Sequence, residues 1–239
     1  MSKRERRSGE QVPQRLRRHI LAPILRAEDL ATAEREEVEA EIRAFRTFLD
    51  RLSDIEATRT ATPTPATRSL SHAEAANTGE RLRTAYEETV MSLAHFDRVY
   101  DESLAEHVAR ELSPQLLPVF DPGANAFTEV YRQTLRSAVE DSIADRERFV
   151  SVLEDEVAAL DTARARLRSV LDSGGRPGTA GDRRDTIDEL ARDRQEALGL
   201  RPSLVQLDGH ECCEYVYESE CWTYPVLTAV ARLRENVVE

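Results

Sequence analysis

Residues 139–171 read VEDSIADRERFVSVLEDEVAALDTARARLRSVL, and their spacing decides the fold. Val139, Ile143, Arg146, Val150, Leu153, Val157, Leu160, Arg164, Leu167 and Leu171 step alternately by four and three residues. That is the heptad period with which one helix closes against another. The pattern predicts a helix over about 125–172, roughly 70 Å long at 1.5 Å per residue. Two of its ten seam positions are Arg, so the seam is not uniformly dry.

The same period recurs upstream. Val38, Ile42, Phe45, Leu49 and Leu52 predict a helix over about 29–58, with Glu34, Glu36, Glu37, Glu39 and Glu41 among Arg35, Arg43 and Arg46 on its outer face. Leu82, Tyr86, Val90 (or Thr89), Leu93, Phe96, Tyr100, Leu104, Val108 and Leu112, spaced by threes and fours, predict a third long helix over about 80–112. Pro23 interrupts an apolar patch at residues 20–25 and is expected in the first turn of a helix. Ser71-His72-Ala73-Glu74 has the capping-box pattern.

Breakers divide the chain. Residues 58–70 hold Pro63 and Pro65, residues 113–124 hold Pro114, Pro118 and Asp121-Pro122-Gly123, and residues 173–181 are glycine-rich. Pro and Gly stop helices and loosen the chain there. The organisation expected is a basic, disordered arm over 1–19 and a long-helix bundle over 20–172. A flexible linker at 173–181 then leads to a short helix and a C-terminal module over 182–239. Within that last part, Ile187, Leu190, Ala191, Arg194 and Leu198 pattern a helix over about 182–198, with Gly199 as its cap. A strand is expected, if anywhere, around 213–217. Val226, Val230, Leu233 and Val237 pattern a terminal helix, with Thr223 as cap and Pro225 in its first turn. The fold class is therefore all-α: an elongated, antiparallel, coiled-coil-like bundle with a small aromatic and Cys-containing C-terminal module.

The composition of the 239 residues narrows the setting. There are 45 acids against 33 bases, a net charge of −12, and Lys3 is the only lysine among those bases. Residues 1–19 carry +5, so the remainder carries −17. An acidic surface that uses Arg almost exclusively suits concentrated salt, which screens its self-repulsion. Counterion release is weak in such salt, so nucleic-acid contact by the basic arm is disfavoured. No apolar run approaches the ~18 residues of a membrane span, and residues 1–19 lack the apolar core of a signal peptide. A cytoplasmic location is expected.

Two blocks carry a resemblance. One is Tyr86-Glu87-Glu88-Thr89-Val90-Met91 followed by His95-Phe96-Asp97-Arg98-Val99-Tyr100-Asp101-Glu102-Ser103. The other is Cys213-Glu214-Tyr215-Val216-Tyr217 with Trp222-Thr223-Tyr224-Pro225-Val226-Leu227. With the acidic, Arg-rich helices around them, they resemble a haloarchaeal family of unknown function, helical throughout. The resemblance implies a fold, a source and a cytoplasmic setting, and assigns no reaction.

The candidate functional residues fall into three groups. On a continuous helix Glu88, Ser92, His95, Val99 and Glu102 would form one stripe, suited to a metal, a proton relay or a polar register seam. His210, Cys212, Cys213 and Cys221 have the atoms of a tetrahedral metal site. Their spacing fits no standard knuckle, so packing is the preferred reading. Tyr215, Tyr217, Trp222 and Tyr224 concentrate aromatics as a bundle cap or an interface would. Phosphate loops, nucleophile elbows, H-E-x-x-H and dinucleotide fingerprints do not occur. The reading is a non-enzymatic interaction or scaffold protein without cofactor or catalytic residues, self-associating or bound to a protein partner. Its interaction candidates are Tyr86, Glu88, His95, Glu102, Tyr215, Tyr217, Trp222 and Tyr224. The alternatives are a transcription-related regulator touching DNA and a small metal or thiol sensor.

Overall fold

The structure, a computed structural model, describes residues 12–57, 78–121, 127–173, 180–200, 207 and 210–238. Among these residues the secondary structure is helical, with no strand. In chain order the helices are α1 (Gln14–Ser53), α2 (78–87), α3 (Phe96–Val99), α4 (Leu104–Glu111), a 3-10 helix (Pro114–Phe120), α5 (Glu129–Asp172), α6 (Ala180–Gly199), α7 (Cys212–Val216), α8 (Pro225–Leu233) and a π-helical turn (Arg234–Val238). The chain forms two compact units, residues 1–35 with 151–239 and residues 36–150. The expected all-α bundle is found. The linker at 58–70, Ser71–Glu74 and most of 173–181 lie outside the described residues.

In the first unit α1 and α5 run antiparallel, with Arg17 paired to Asp172 and Arg164 to Glu28. Arg17 Nη2 also donates to Leu171 O at 3.0 Å, so a cation caps the carbonyl end of α5. Ile20, Ile24, Leu160, Leu167, Ile187, Tyr217, Val226, Val230 and Leu233 share one buried core. The stretch read as a disordered arm is thus helical from Gln14 onward.

Pro23 lies ten residues into α1 rather than in its first turn. Proline has no N–H, so the His19 carbonyl four residues earlier loses its helical donor. Arg232 Nη1 supplies one at 2.8 Å. The residues around 213–217 form α7 rather than a strand. Pro225 does open α8, behind Tyr224 rather than a capping Thr223.

In the second unit the predicted helix over 80–112 is broken into α2, α3 and α4. Its apolar residues do recur every three or four positions, but side-chain hydroxyls compete with the ladder. Thr89 Oγ1 donates to Ala85 O and Ser92 Oγ to Glu88 O, while Tyr86 O accepts from three successive amides, 89, 90 and 91. Asp101 then turns the chain with φ 47°. Ser103 and Glu106 form a capping box that starts α4 afresh. Breaking the helix lets aromatic rings converge: Tyr86 makes edge contacts with Phe48 at 5.1 Å and Phe120 at 5.7 Å.

Candidate functional site

Each unit encloses one polar cluster, and the two are described separately. In the unit of residues 36–150 the centre is Glu41, three residues after Val38 and four before Phe45. That position turns it inward, and it is buried. Its Oε1 accepts from the Tyr100 hydroxyl at 2.9 Å and lies 3.0 Å from His95 Nε2. Its Oε2 accepts from Arg146 Nε at 2.8 Å. Arg146, the first Arg of the α5 seam, also pairs with Glu111 and stacks 4.7 Å over the Phe45 ring. Burial alone would raise the Glu111 carboxyl, but Arg146 outweighs it and holds that carboxyl below its usual range. Burial, reinforced by Glu41, pushes the Tyr100 hydroxyl well up, so it serves as a donor.

Beside this cluster lies His107, buried on α4. Its Nδ1 is 2.9 Å from the Tyr86 hydroxyl. The rings of Phe96 and Tyr100 lie 4.9 Å and 5.0 Å from its own. Burial depresses its pKa to about 4.

In the other unit the centre is Glu156, with no exposed surface. It sits three residues after Leu153 and four before Leu160, again on the seam face. Both its oxygens accept from Arg194 Nη2 at 2.8 Å, and Oε1 also accepts from the Tyr217 hydroxyl at 2.8 Å. The Cys213 sulfur is 3.7 Å from Arg194 Nη2. Burial, then the charge of Glu156, pushes the Tyr217 hydroxyl up, so Tyr217 too is held as a donor.

The sequence candidates are placed otherwise than expected. With the helix broken, the Glu88–His95–Glu102 stripe does not exist. Glu88 pairs with Arg51 at the surface, Glu102 pairs with Arg110, and His95 turns in to Glu41. Tyr86 and Tyr217 are interior residues. Trp222 and Tyr224 are half-buried against the core, and Tyr215 is 39% exposed. Cys212 and Cys213 are buried, Cys221 and His210 are exposed, and no disulfide joins the cysteines. Among the described residues no three His, Cys, Asp or Glu side chains are grouped to hold a metal ion.

Glu41, placed by its spacing on the outer face of the helix over 29–58, is instead buried, and His107, Glu111 and Glu156 are not among the sequence candidates. For Glu41 and Glu156 a signal existed: each stands at seam spacing between two apolar residues. His107 and Glu111 were hidden by treating 80–112 as one helix. A shallow cleft of about 80 Å³, lined by Leu49, Leu52, Ser53, Arg132, Gln133 and Arg136, touches neither cluster.

The arrangement holds carboxylates, a phenol, imidazoles and guanidinia within hydrogen-bond reach, the parts of a proton-transfer site. Here both oxygens of Glu41 and both of Glu156 accept from donors on other elements. No described helix is long and apolar enough to cross a membrane. No curated protein and no solved structure matches the chain. A family model described as a domain of unknown function, DUF7260, matches residues 22–239, and the chain belongs to that family.

Proposed function

We propose that this chain is a non-enzymatic helical interaction or scaffold protein of a halophilic cytoplasm, joining copies of itself or a protein partner. One observation carries the reading: the side chains equipped for chemistry are used as ties between helices. Glu41 binds α1 to α5 and to the Tyr100 turn, and Glu156 binds α5 to α6 and α7. Such networks fix register, and both carboxylate oxygens of Glu41 and of Glu156 are taken by donors of this same chain. Recognition then falls to the surface, where Tyr215 stands 39% exposed in the acidic stretch Glu211–Glu220. The near-exclusive use of Arg and the net charge of −12 support the salt-adapted setting.

The DNA-binding alternative is not favoured, because Arg232 and Arg234 near the C-terminus are engaged by His19 O and Asp188. Light scattering across a concentration series in molar potassium chloride tests the proposal. The expected result is a mass above the 27.0 kDa of one chain, or a stoichiometric partner, weakened by Tyr215→Ser. A strict monomer that co-purifies with nothing refutes it. For the salt-adapted part, helical circular dichroism should fall on dialysis to low salt, and unchanged helicity and melting temperature would refute it.

A further inference from the structure

We infer that His107 is an acid-sensitive lock on the α3–α4 segment: while its ring is neutral the segment stays packed, and gaining a proton releases that segment before the rest of the chain unfolds. This goes beyond the interaction reading and does not depend on it.

The geometry carries the inference. His107 is 1% exposed, and its Nδ1 is satisfied by the Tyr86 hydroxyl. Its Nε2 is buried without a hydrogen-bond partner, in a ring enclosed by Phe96, Tyr100 and Tyr86. Neutral imidazole tolerates this, because one nitrogen accepts the tyrosine proton and only one N–H is left among the rings. Imidazolium does not, because both nitrogens must then donate. The Tyr86 hydroxyl would have to reverse its role, and a charge would stand in an aromatic cage.

The surrounding charges do not rescue the proton. Glu111 on α4 and Glu102 before it would favour it. Glu111 is committed to Arg146 of α5 and Glu102 to Arg110. Glu41 of α1, one residue further out through Tyr100, is taken by Arg146, Tyr100 and His95. Burial therefore dominates, in keeping with the pKa of about 4. The segment is also the piece of this unit suited to open alone. It comprises a four-residue and an eight-residue helix joined through the positive-φ Asp101, too short to stand without packing.

The experiment is hydrogen exchange of the full chain in molar potassium chloride at pH 7 and pH 5, corrected for intrinsic chemistry. An unfolded imidazole titrates near 6.5, so opening through His107 should become about 20-fold more frequent at pH 5. The increase should appear in amides of 96–111 and not in those of α8. His107→Gln retains a polar partner for Tyr86 without a proton to gain, and should abolish the increase. Ring-proton NMR of the unmodified chain gives an independent reading should that variant fold poorly. A His107 titration at or above 6.5 would overturn the lock. So would an unchanged acid response in His107→Gln, which would assign it to His95 or the carboxylates. An equal rise throughout the chain would overturn it too, since the response would then be global.

Discussion

Removing the charge of Glu156 should be among the most costly single changes available to this protein. Glu156 has no exposed surface, and the Arg194 side chain is 4% exposed. Substituting Gln keeps the shape and strips the charge, leaving the guanidinium buried beside a weak acceptor. At 2.8 Å two unit charges attract by about 6 kcal/mol in an effective dielectric of about 20. Desolvation offsets much of that in the intact pair. When one partner is lost, measured costs are about 3–5 kcal/mol. A domain is stable by only about 5–15 kcal/mol in total, so Glu156→Gln should remove a large share. The double variant Glu156→Leu with Arg194→Leu should cost well under the sum of its single changes, because no unpaired charge remains. Urea unfolding in molar potassium chloride, followed by Trp222 emission, is the assay. Trp222 is the chain's one tryptophan, and its ring lies 5.4 Å from that of Tyr217, which bonds Glu156. A Glu156→Gln cost below about 1 kcal/mol, or additivity in the double variant, would refute the pairing as a structural tie.

Three further outcomes are expected. A Cβ at Gly79 would lie 2.4 Å from Asp121 O, a backbone atom that cannot step aside, so Gly79→Ala should cost about 1–3 kcal/mol by thermal unfolding despite its better helix propensity. Arg232→Met should cost about 1 kcal/mol in the natural chain and little once Pro23→Ala gives His19 O a backbone donor; equal costs in both backgrounds would separate the two sites. Leu153→Ala or Leu160→Ala, both fully buried, should each cost about 2–5 kcal/mol, while Glu154→Ala and Asp155→Ala, both exposed, should change unfolding by less than about 0.5 kcal/mol.

The long helices were legible because burial repeats along them for many turns. Leu153, Leu160, Leu167 and Leu171 fall where their spacing puts them, all buried. The same rule overreached at 80–112, where period and helix parted company. The apolar spacing there records which side chains turn inward, and Tyr86, Phe96, Leu104 and Val108 do so. It does not record whether the backbone between them is continuous. The stop was written in other residues: Thr89 and Ser92, able to bond their own turn, and Ser103 with Glu106, a start signal inside an apparent helix. Pro23 misled for a different reason. Its cost is local, but its remedy, Arg232, is more than two hundred residues away and invisible to any window.

The buried charges follow from the same composition that sets the surface. A chain that carries basic charge almost wholly on Arg offers its carboxylates a partner that is weakly hydrated and planar, hence the cheaper cation to bury. Both arginines on the α5 seam take that role: Arg146 meets Glu41 of α1 and Glu111, and Arg164 meets Glu28 of α1. These ties also choose register. Sliding α1 by one turn against α5 would keep apolar contact along a repeating seam, but would take Glu41 away from Arg146 and leave that buried carboxylate without its guanidinium. An apolar heptad alone does not make that distinction. The polar positions that interrupt the seam are therefore what selects one alignment of these helices over its neighbours.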